Sequence, residues 1–438
     1  MKSRFGIMSI VFGVLMLALS SCQKEDKQTV SAEEIVASDN TEVTTRAEVA
    51  ALLNHVLLEP TSAENLATLI LENGGDKESL TFKEIVELKH GTDVRIAEMS
   101  TLFCAAVTSA IAANAESYPV VSAQMASKTK GIDDNLKNTA VELYIPYSEN
   151  FSTDDIQDLT IVYTPEDEWA TRTTGVKISQ GVGSVVPVVD DDYMKNNLTV
   201  VVMPEDKDVS EYTPLVPDSD VKNLSVGSGA KGKLPNGLIT QNVTNSALIG
   251  EEDILLTKLA RIKVKNTSWA ATFTNKLKLA IYRTSADYKV EYGTPVIMPK
   301  QYKIAYYPIL KKDIRNGKWI EANTIFDDDW DLHEYNQVLF FCSEHLIQPG
   351  KVNLSGTVSL GYANGKPSAN LGLSADFSFA IGDSKLRTNN EITRKSVLAT
   401  NMSDIGNSTY NIDGHEFAIR NYGGCVDLVL TMYYTDYE

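Results

Sequence analysis

Two acidic runs, Asp190-Asp191-Asp192 and Asp327-Asp328-Asp329-x-Asp331, are the densest chemistry-bearing stretches of the chain. Both fall where short apolar runs end. That places them in turns at strand ends, where carboxylates of neighbouring loops could converge on a calcium ion. Neither run has the fixed ligand spacing of a helix-loop-helix calcium loop, and solvated acidic turns are the plainer alternative. Gly227-x-x-x-x-Gly232-Lys233 comes close to a phosphate-cradling loop, in which successive amides and a lysine clasp an anion at a helix start. Leu234, however, stands where a Ser or Thr would hold magnesium, and Pro235-Asn236-Gly237 opens no helix, so a glycine-rich loop is expected. His55, His90, His333, His345 and His415 include no His-Glu-x-x-His pair, and no Gly-x-Ser-x-Gly stretch is present. Metallo- and serine hydrolysis therefore have no local support. Cys342-x-x-His345 follows the apolar run 338–341 and reads as a strand with an exposed tail.

Aromatic residues beside turns are the remaining candidates. Trp169, Trp269, Trp319 and Trp330 lie in or near them, and Tyr302, Tyr306 and Tyr307 sit in the basic segment 300–318. There Lys300, Lys303, Lys311, Lys312, Arg315 and Lys318 outnumber Asp313. Trp319, Trp330, Tyr306 and Tyr307 are the candidate faces for stacking a sugar ring. The cations would meet either an acidic glycan or the protein's own acidic surface, and core tryptophans with solvated lysines are the alternative.

The elements that must position these groups follow from composition and period. Of 438 residues, 43% are hydrophobic and 22% charged, enough for two or three globular domains. The formal charge of −18 argues against a nucleic-acid partner, because neutralising phosphates needs a surplus of Lys and Arg. Residues 46–135 read as a helical domain. Val49, Leu52, Leu53, Val56 and Leu57 share a stripe that stops at Pro60, and Thr61-x-x-Glu64 and Thr81-x-x-Glu84 each have the form of a capping box. An Ala-rich helix carrying Leu102, Phe103, Val107 and Ile111 halts before Pro119. From 136 to 217 the period changes to two, as expected for a β domain, and 218–250 reads as a Gly/Ser/Asn-rich linker or loop. Residues 251–438 are strand-rich: Ala260, Ile262 and Val264 alternate with basic residues, Leu277, Leu279 and Ile281 alternate with basic and neutral residues, and Val426, Leu428, Leu430, Met432 and Tyr434 close the chain in the same style. The expected fold class is α+β, a small N-terminal helical bundle followed by mainly antiparallel β-sandwich domains, with the last strand inside the sandwich. Of Cys104, Cys342 and Cys425, the last two lie in strand-like runs and could pair.

The N-terminus carries an address. Lys2 and Arg4 precede an apolar run from Phe5 to Leu19, shaped like the core of a secretory signal and short for a membrane span. It ends in Leu19-Ser20-Ser21-Cys22, which looks like a bacterial lipobox. Residues 1–21 would then be removed and Cys22 acylated, anchoring the chain to a membrane. Loss of Lys2 and Arg4 takes the formal charge from −18 to −20. Residues 22–45 read as a flexible tether. Its first part, Gln23-Lys24-Glu25-Asp26-Lys27, resembles the surface-export signal of Bacteroidetes lipoproteins, although a solvated tether would have the same composition.

The lipobox, the helical segment, the stretch Val141-Glu142-Leu143-Tyr144-Ile145-Pro146-Tyr147-Ser148-Glu149-Asn150-Phe151 and the strand-rich half around Phe326-Asp327-Asp328-Asp329-Trp330-Asp331 together resemble a loose group of Bacteroidetes cell-surface lipoproteins. The resemblance implies an outer-membrane, surface-exposed location and this architecture, and it transfers no activity. The functional expectation is a non-enzymatic binding module for an extracellular glycan or protein, with calcium the one cofactor in view. The competing expectation is an envelope structural subunit or fimbrillin-like pilin. In that case Arg46, within Val43-Thr44-Thr45-Arg46-Ala47, would be cut by a trypsin-like protease in an exposed tether.

Overall fold

A computed structural model describes residues 45–126, 139–205, 237–240, 249–250, 252–291, 294–332, 334–344, 351–363, 366–382, 384–398 and 408–436. All of them belong to one compact unit, Glu42–Glu438. Cys22 with its signal-like run and tether, the Gly227 to Gly232 loop, His333 and His345 lie outside the described residues.

The helices are α1 (residues 45–56), α2 (Pro60–Asn73), α3 (Phe82–Leu88), α4 (Val94–Ala113) and α5 (Pro119–Ala126). Thr81 and Glu84 do form a capping box at the start of α3: the Thr81 hydroxyl accepts from the Glu84 amide, and the Glu84 carboxylate accepts from the Thr81 amide. The box expected at Thr61 is absent. Glu59 is the N-cap of α2 without a side-chain bond, and Pro60 occupies the first turn. A proline there loses no needed N–H and presets the helical φ, so the helix begins ahead of the threonine. Arg46 also departs from expectation. It lies inside α1 at 1% exposure, so it is part of the folded helix and not of an exposed tether. By length and composition α4 could cross a membrane, but Phe103, Cys104, Val107 and Ile111 are buried in the helical core.

The helices cover one face of a six-stranded sheet built from β1 (Ser79–Thr81), β2 (Val141–Tyr144), β3 (Asp158–Tyr163), β4 (Arg172–Ser179), β5 (Val182–Asp190) and β6 (Thr199–Pro204), in the order β1-β2-β6-β3-β4-β5. A short helix α6 (Asp191–Asn196) links β5 to β6. The β3–β6 pair is parallel. Its strands are apolar on both faces: Ile161, Val200 and Val202 join the helical core, while Val162, Val201 and Met203 pack with Phe273 on the other side. The uninterrupted run Val200-Val201-Val202-Met203 is the mark of a strand buried on both faces. The helical and first β segments thus share one hydrophobic core.

Next in the chain come β7 (Gly237–Leu238), β8 (Ile254–Val264), β9 (Lys276–Glu291) and β10 (Thr294–Leu310), then the short helix α7 (Lys311–Arg315). They are followed by β11 (Ile320–Asp327), β12 (Asn336–Glu344), β13 (Lys351–Ala363), β14 (Lys366–Gly382) and β15 (Ser384–Thr393). Helix α8 (Arg394–Leu398) precedes β16 (Thr409–Ile412), β17 (His415–Tyr422) and β18 (Val426–Thr435). The sheets β10-β9-β12-β15 and β11-β8-β18-β17-β16 face each other as a sandwich. Leu277, Leu279, Ile281, Leu339 and Phe341 meet Ile262, Leu428, Leu430 and Tyr434 in its core. The hairpin β13–β14 covers the outer face of the first sheet through Leu354, Val358, Phe377 and Ile381. The architecture is therefore α+β with antiparallel, sandwich-like sheets. As expected, β18 is interior, paired with β8 and β17. A bulge in the β8–β18 register, where Val429 pairs with Arg261 and Leu430 with Leu259, moves Ala260 off the core face and puts Leu259 there. Cys104, Cys342 and Cys425 form no disulfide.

Candidate functional site

A cleft of about 570 Å³ lies between the first sheet and the sandwich. Its walls come from four segments: Thr171 and Arg172 at the start of β4, Asp190, Asp191 and Asp192 at the β5–α6 junction, the turn from Thr267 to Thr272, and Lys311 at the start of α7. The acidic run named from sequence is therefore one wall of a site. Arg172 precedes Asp190 by 18 positions, whereas the opposite wall begins at Thr267, 75 positions after Asp192.

Each acidic residue of that wall has a different use. Asp190 ends β5 and caps α6, its carboxylate accepting from the Tyr193 amide at 2.8 Å. Asp191 accepts from the Tyr147 hydroxyl at 2.6 Å. Asp192 is exposed, as is Arg172, which faces Asp190 in the β4–β5 register. On the opposite wall, Lys311 is held by its backbone and its amine together. Its N–H donates to the Asn275 carbonyl at 2.8 Å, and Nζ donates to the carbonyls of Ala271 at 3.1 Å and Thr272 at 2.8 Å. The turn that supplies these carbonyls is pinned from below. Phe273 is a buried plug in the first sheet's second core, and the Thr164 hydroxyl donates to its carbonyl at 3.0 Å. Asn275 reaches the other way, donating to Ser79 Oγ and Glu142 Oε1.

Beside the cleft lies an ionic junction centred on Arg315, one turn after Lys311 on α7. Its guanidinium donates to both carboxylate oxygens of Glu78, at 2.7 and 2.8 Å, and to Glu149, and stacks on the Tyr147 ring at 4.6 Å. The basic segment thus turns in part toward the protein's own acidic groups, with Lys318 on Asp313 at 3.0 Å as another instance. Near the Thr267 to Thr272 turn, Arg387 stacks on Trp169 at 4.3 Å and donates to the Trp269 carbonyl.

The other sequence candidates are placed elsewhere. Asp327 is buried in an ion pair with Arg283 at 2.5 Å and accepts from Gln337. Asp329 accepts from the Leu255 amide at 3.1 Å, and Asp328 and Asp331 are exposed. Among the described residues, no group of three or more His, Cys, Asp or Glu is arranged to hold a metal ion. The Asp190 to Asp192 run moreover lies beside Arg172 and across the cleft from Lys311, whose charges oppose a cation. Two of those aspartates are already engaged, Asp190 on a helix cap and Asp191 on a tyrosine. Trp330 is no stacking face either. It is 1% exposed, packs on Phe326 at 5.7 Å and donates its indole N–H to the Glu334 carbonyl. Tyr307 is buried with its hydroxyl on Thr324, and Tyr306 is half-buried. Trp319, half-buried, stacks on Tyr410 at 4.9 Å with Lys263 over its ring at 4.8 Å. These four aromatics do not form a common platform.

No protein-family model, curated protein or solved structure matches the chain. The cleft's chemistry is therefore read from its own groups. It presents carboxylates, cations and hydroxyls together, and none of its lining residues is a histidine or cysteine. Such a wall can accept and donate hydrogen bonds to one polar ligand. Arg172, Lys311 and the Thr267-Ser268 hydroxyls were not singled out as site residues from sequence. The one local signal for Lys311 was its place in a basic segment.

Proposed function

We propose that this chain is a lipid-anchored, surface-exposed, non-enzymatic lipoprotein that binds an extracellular glycan in the cleft between Asp190–Asp192 and Lys311. The observation that carries the reading is the mixed lining. Sugar hydroxyls both donate and accept, so a cleft with Asp192 and Arg172 on one side and Lys311, Thr267 and Ser268 on the other suits a polyhydroxyl ligand better than a bare ion. The burial of Arg46 in α1 counts against the competing pilin reading, since a protease would have to unfold the helix to reach it.

The test is a binding screen of the full chain, purified in a non-glycosidic detergent, against neutral, acidic and amino-sugar oligosaccharides. Binding is expected, and Arg172→Ala and Asp192→Ala should each weaken it about tenfold, the loss of one charge-assisted hydrogen bond. A screen without hits, or binding indifferent to the double variant, would overturn the reading. In the same preparation millimolar calcium should leave the melting temperature where EDTA leaves it. A rise of several degrees would restore a native-state calcium site.

Anchoring is tested separately. Expressed in a Gram-negative host with labelled palmitate, the chain is expected to carry label and to partition into membranes, and Cys22→Ala should abolish both. Unlabelled wild-type chain would remove the lipoprotein part of the proposal and leave the cleft untouched.

A further inference from the structure

One lining group of the cleft is nearly enclosed. Lys311 is 4% exposed yet forms part of the cleft wall. Its amine has two acceptors in place, the carbonyls of Ala271 and Thr272. An ammonium has three N–H donors to satisfy, whereas an uncharged amine has two and a lone pair. Two carbonyls therefore match both protons of the neutral amine, whereas the ammonium would take a third acceptor beyond those two among the described residues.

We propose that Lys311 is a carbonyl-capturing residue, whose amine forms a reversible imine with an aldehyde-bearing ligand such as the open-chain reducing end of a saccharide held in the cleft. The saccharide rests on the binding reading above, while the reactive amine rests only on the placement of Lys311. The chemistry balances without an oxidant or reductant. The nitrogen lone pair attacks the carbonyl carbon to form a C–N bond, the carbonyl π electrons go to oxygen, and a proton moves from nitrogen to that oxygen. The resulting carbinolamine then loses water to give the C=N bond, and addition of water reverses the step.

The charges around the amine pull in both directions. Burial is the largest influence and lowers its pKa to about 8; Asp191 favours the ammonium, Arg315 opposes it and Glu78 favours it. Asp190, Asp192 and Arg172 complete the charged lining of the cleft. At pH 7 about a tenth of such an amine is uncharged, against less than about a thousandth for a lysine of ordinary pKa. Restricted access in the cleft offsets part of that advantage.

The experiment uses the full wild-type chain, glyceraldehyde as the probe and sodium cyanoborohydride to reduce any imine to a stable secondary amine, followed by peptide mass spectrometry from pH 6 to 10. At pH 7 Lys311 should be labelled about tenfold faster than the exposed Lys195 and Lys395. Its rate should level off above about pH 8, while exposed lysines continue to gain. Lys311→Arg, which keeps a cation in place, should lose only that label. Labelling of Lys311 at or below the rate of Lys195 and Lys395, or only after unfolding in urea, would overturn the inference. If oligosaccharides bind but Lys311 stays unlabelled, the imine fails and the cleft reading stands. If Lys311 is labelled and no oligosaccharide binds, the imine stands and the glycan reading fails.

Discussion

Replacing Arg315 by alanine is expected to lower folding stability by about 3–5 kcal/mol, the cost of leaving a buried charge without its partner. Glu78 is 2% exposed and holds a left-handed backbone conformation, φ 58°, at the start of β1. Its carboxylate accepts from the Ser148 amide and hydroxyl, each at 2.9 Å, and through both oxygens from Arg315 Nη2. Burial raises its pKa and Arg315 pulls it back. Without the guanidinium the carboxyl must either stay charged in an apolar surround or take up a proton. The contact also joins segments 237 positions apart, so its loss loosens the wall that carries Lys311. Glu149 is 41% exposed, and its share of the network is screened by water, so Glu149→Gln should cost less than about 1 kcal/mol. Urea unfolding of the single variants and of Arg315→Ala with Glu78→Gln would measure this. The double variant should recover part of the loss, because the neutral amide needs no counter-charge. An Arg315→Ala loss below about 1 kcal/mol would show the junction to be ornamental.

Raising the pH from 5 to 8.5 should destabilise the fold, with Glu334 the main cause. Its carboxyl is buried beside Asp327, and burial first and the neighbouring negative charge second lift its pKa from an ordinary 4.5 to about 8. The Ala286 amide and Gln337 donate to it, and Arg283 lies near, but these offset only part of the rise. In the folded chain Glu334 therefore keeps its proton at neutral pH, whereas unfolded it would not. A folded pKa above the unfolded one gives stability that is complete below about pH 4.5 and is lost as pH climbs to about 8, on the order of a few kcal/mol. Asp327, also raised by burial, acts in the same direction. Glu334→Gln mimics the protonated acid and should flatten most of the slope while gaining stability at pH 8.5. Urea midpoints at pH 5, 6.5 and 8.5 decide it; equal slopes in wild type and variant would return Glu334 to a passive role.

Some features were legible in the residues and others were not. The Thr81-Glu84 box was readable because its bonds span three positions. The identical spacing at Thr61 misled because Pro60, one residue earlier, starts its helix first. The alternation in β18 was readable in full, but in β8 a single bulge exchanged Ala260 for Leu259 at the core, and nothing in the local pattern marks where pairing will slip. The acidic run around Asp327 left open whether Asp327 is solvated and whether Trp330 is a stacking face or a core residue. Asp327 is buried against Arg283 and Gln337, which reach it through contacts the turn's own sequence does not contain.

Period, caps and composition were sufficient to determine an α+β chain with a helical first part and an interior last strand, since each depends on residues a few positions apart or on the sum of all of them. Which aspartates face a cleft and which are buried, that Lys311 meets two carbonyls, and that Arg315 pairs with Glu78 were decided only by tertiary structure. Those choices depend on which segments pack together across as many as 237 positions, and on the loss of solvent that follows, neither of which a linear pattern encodes.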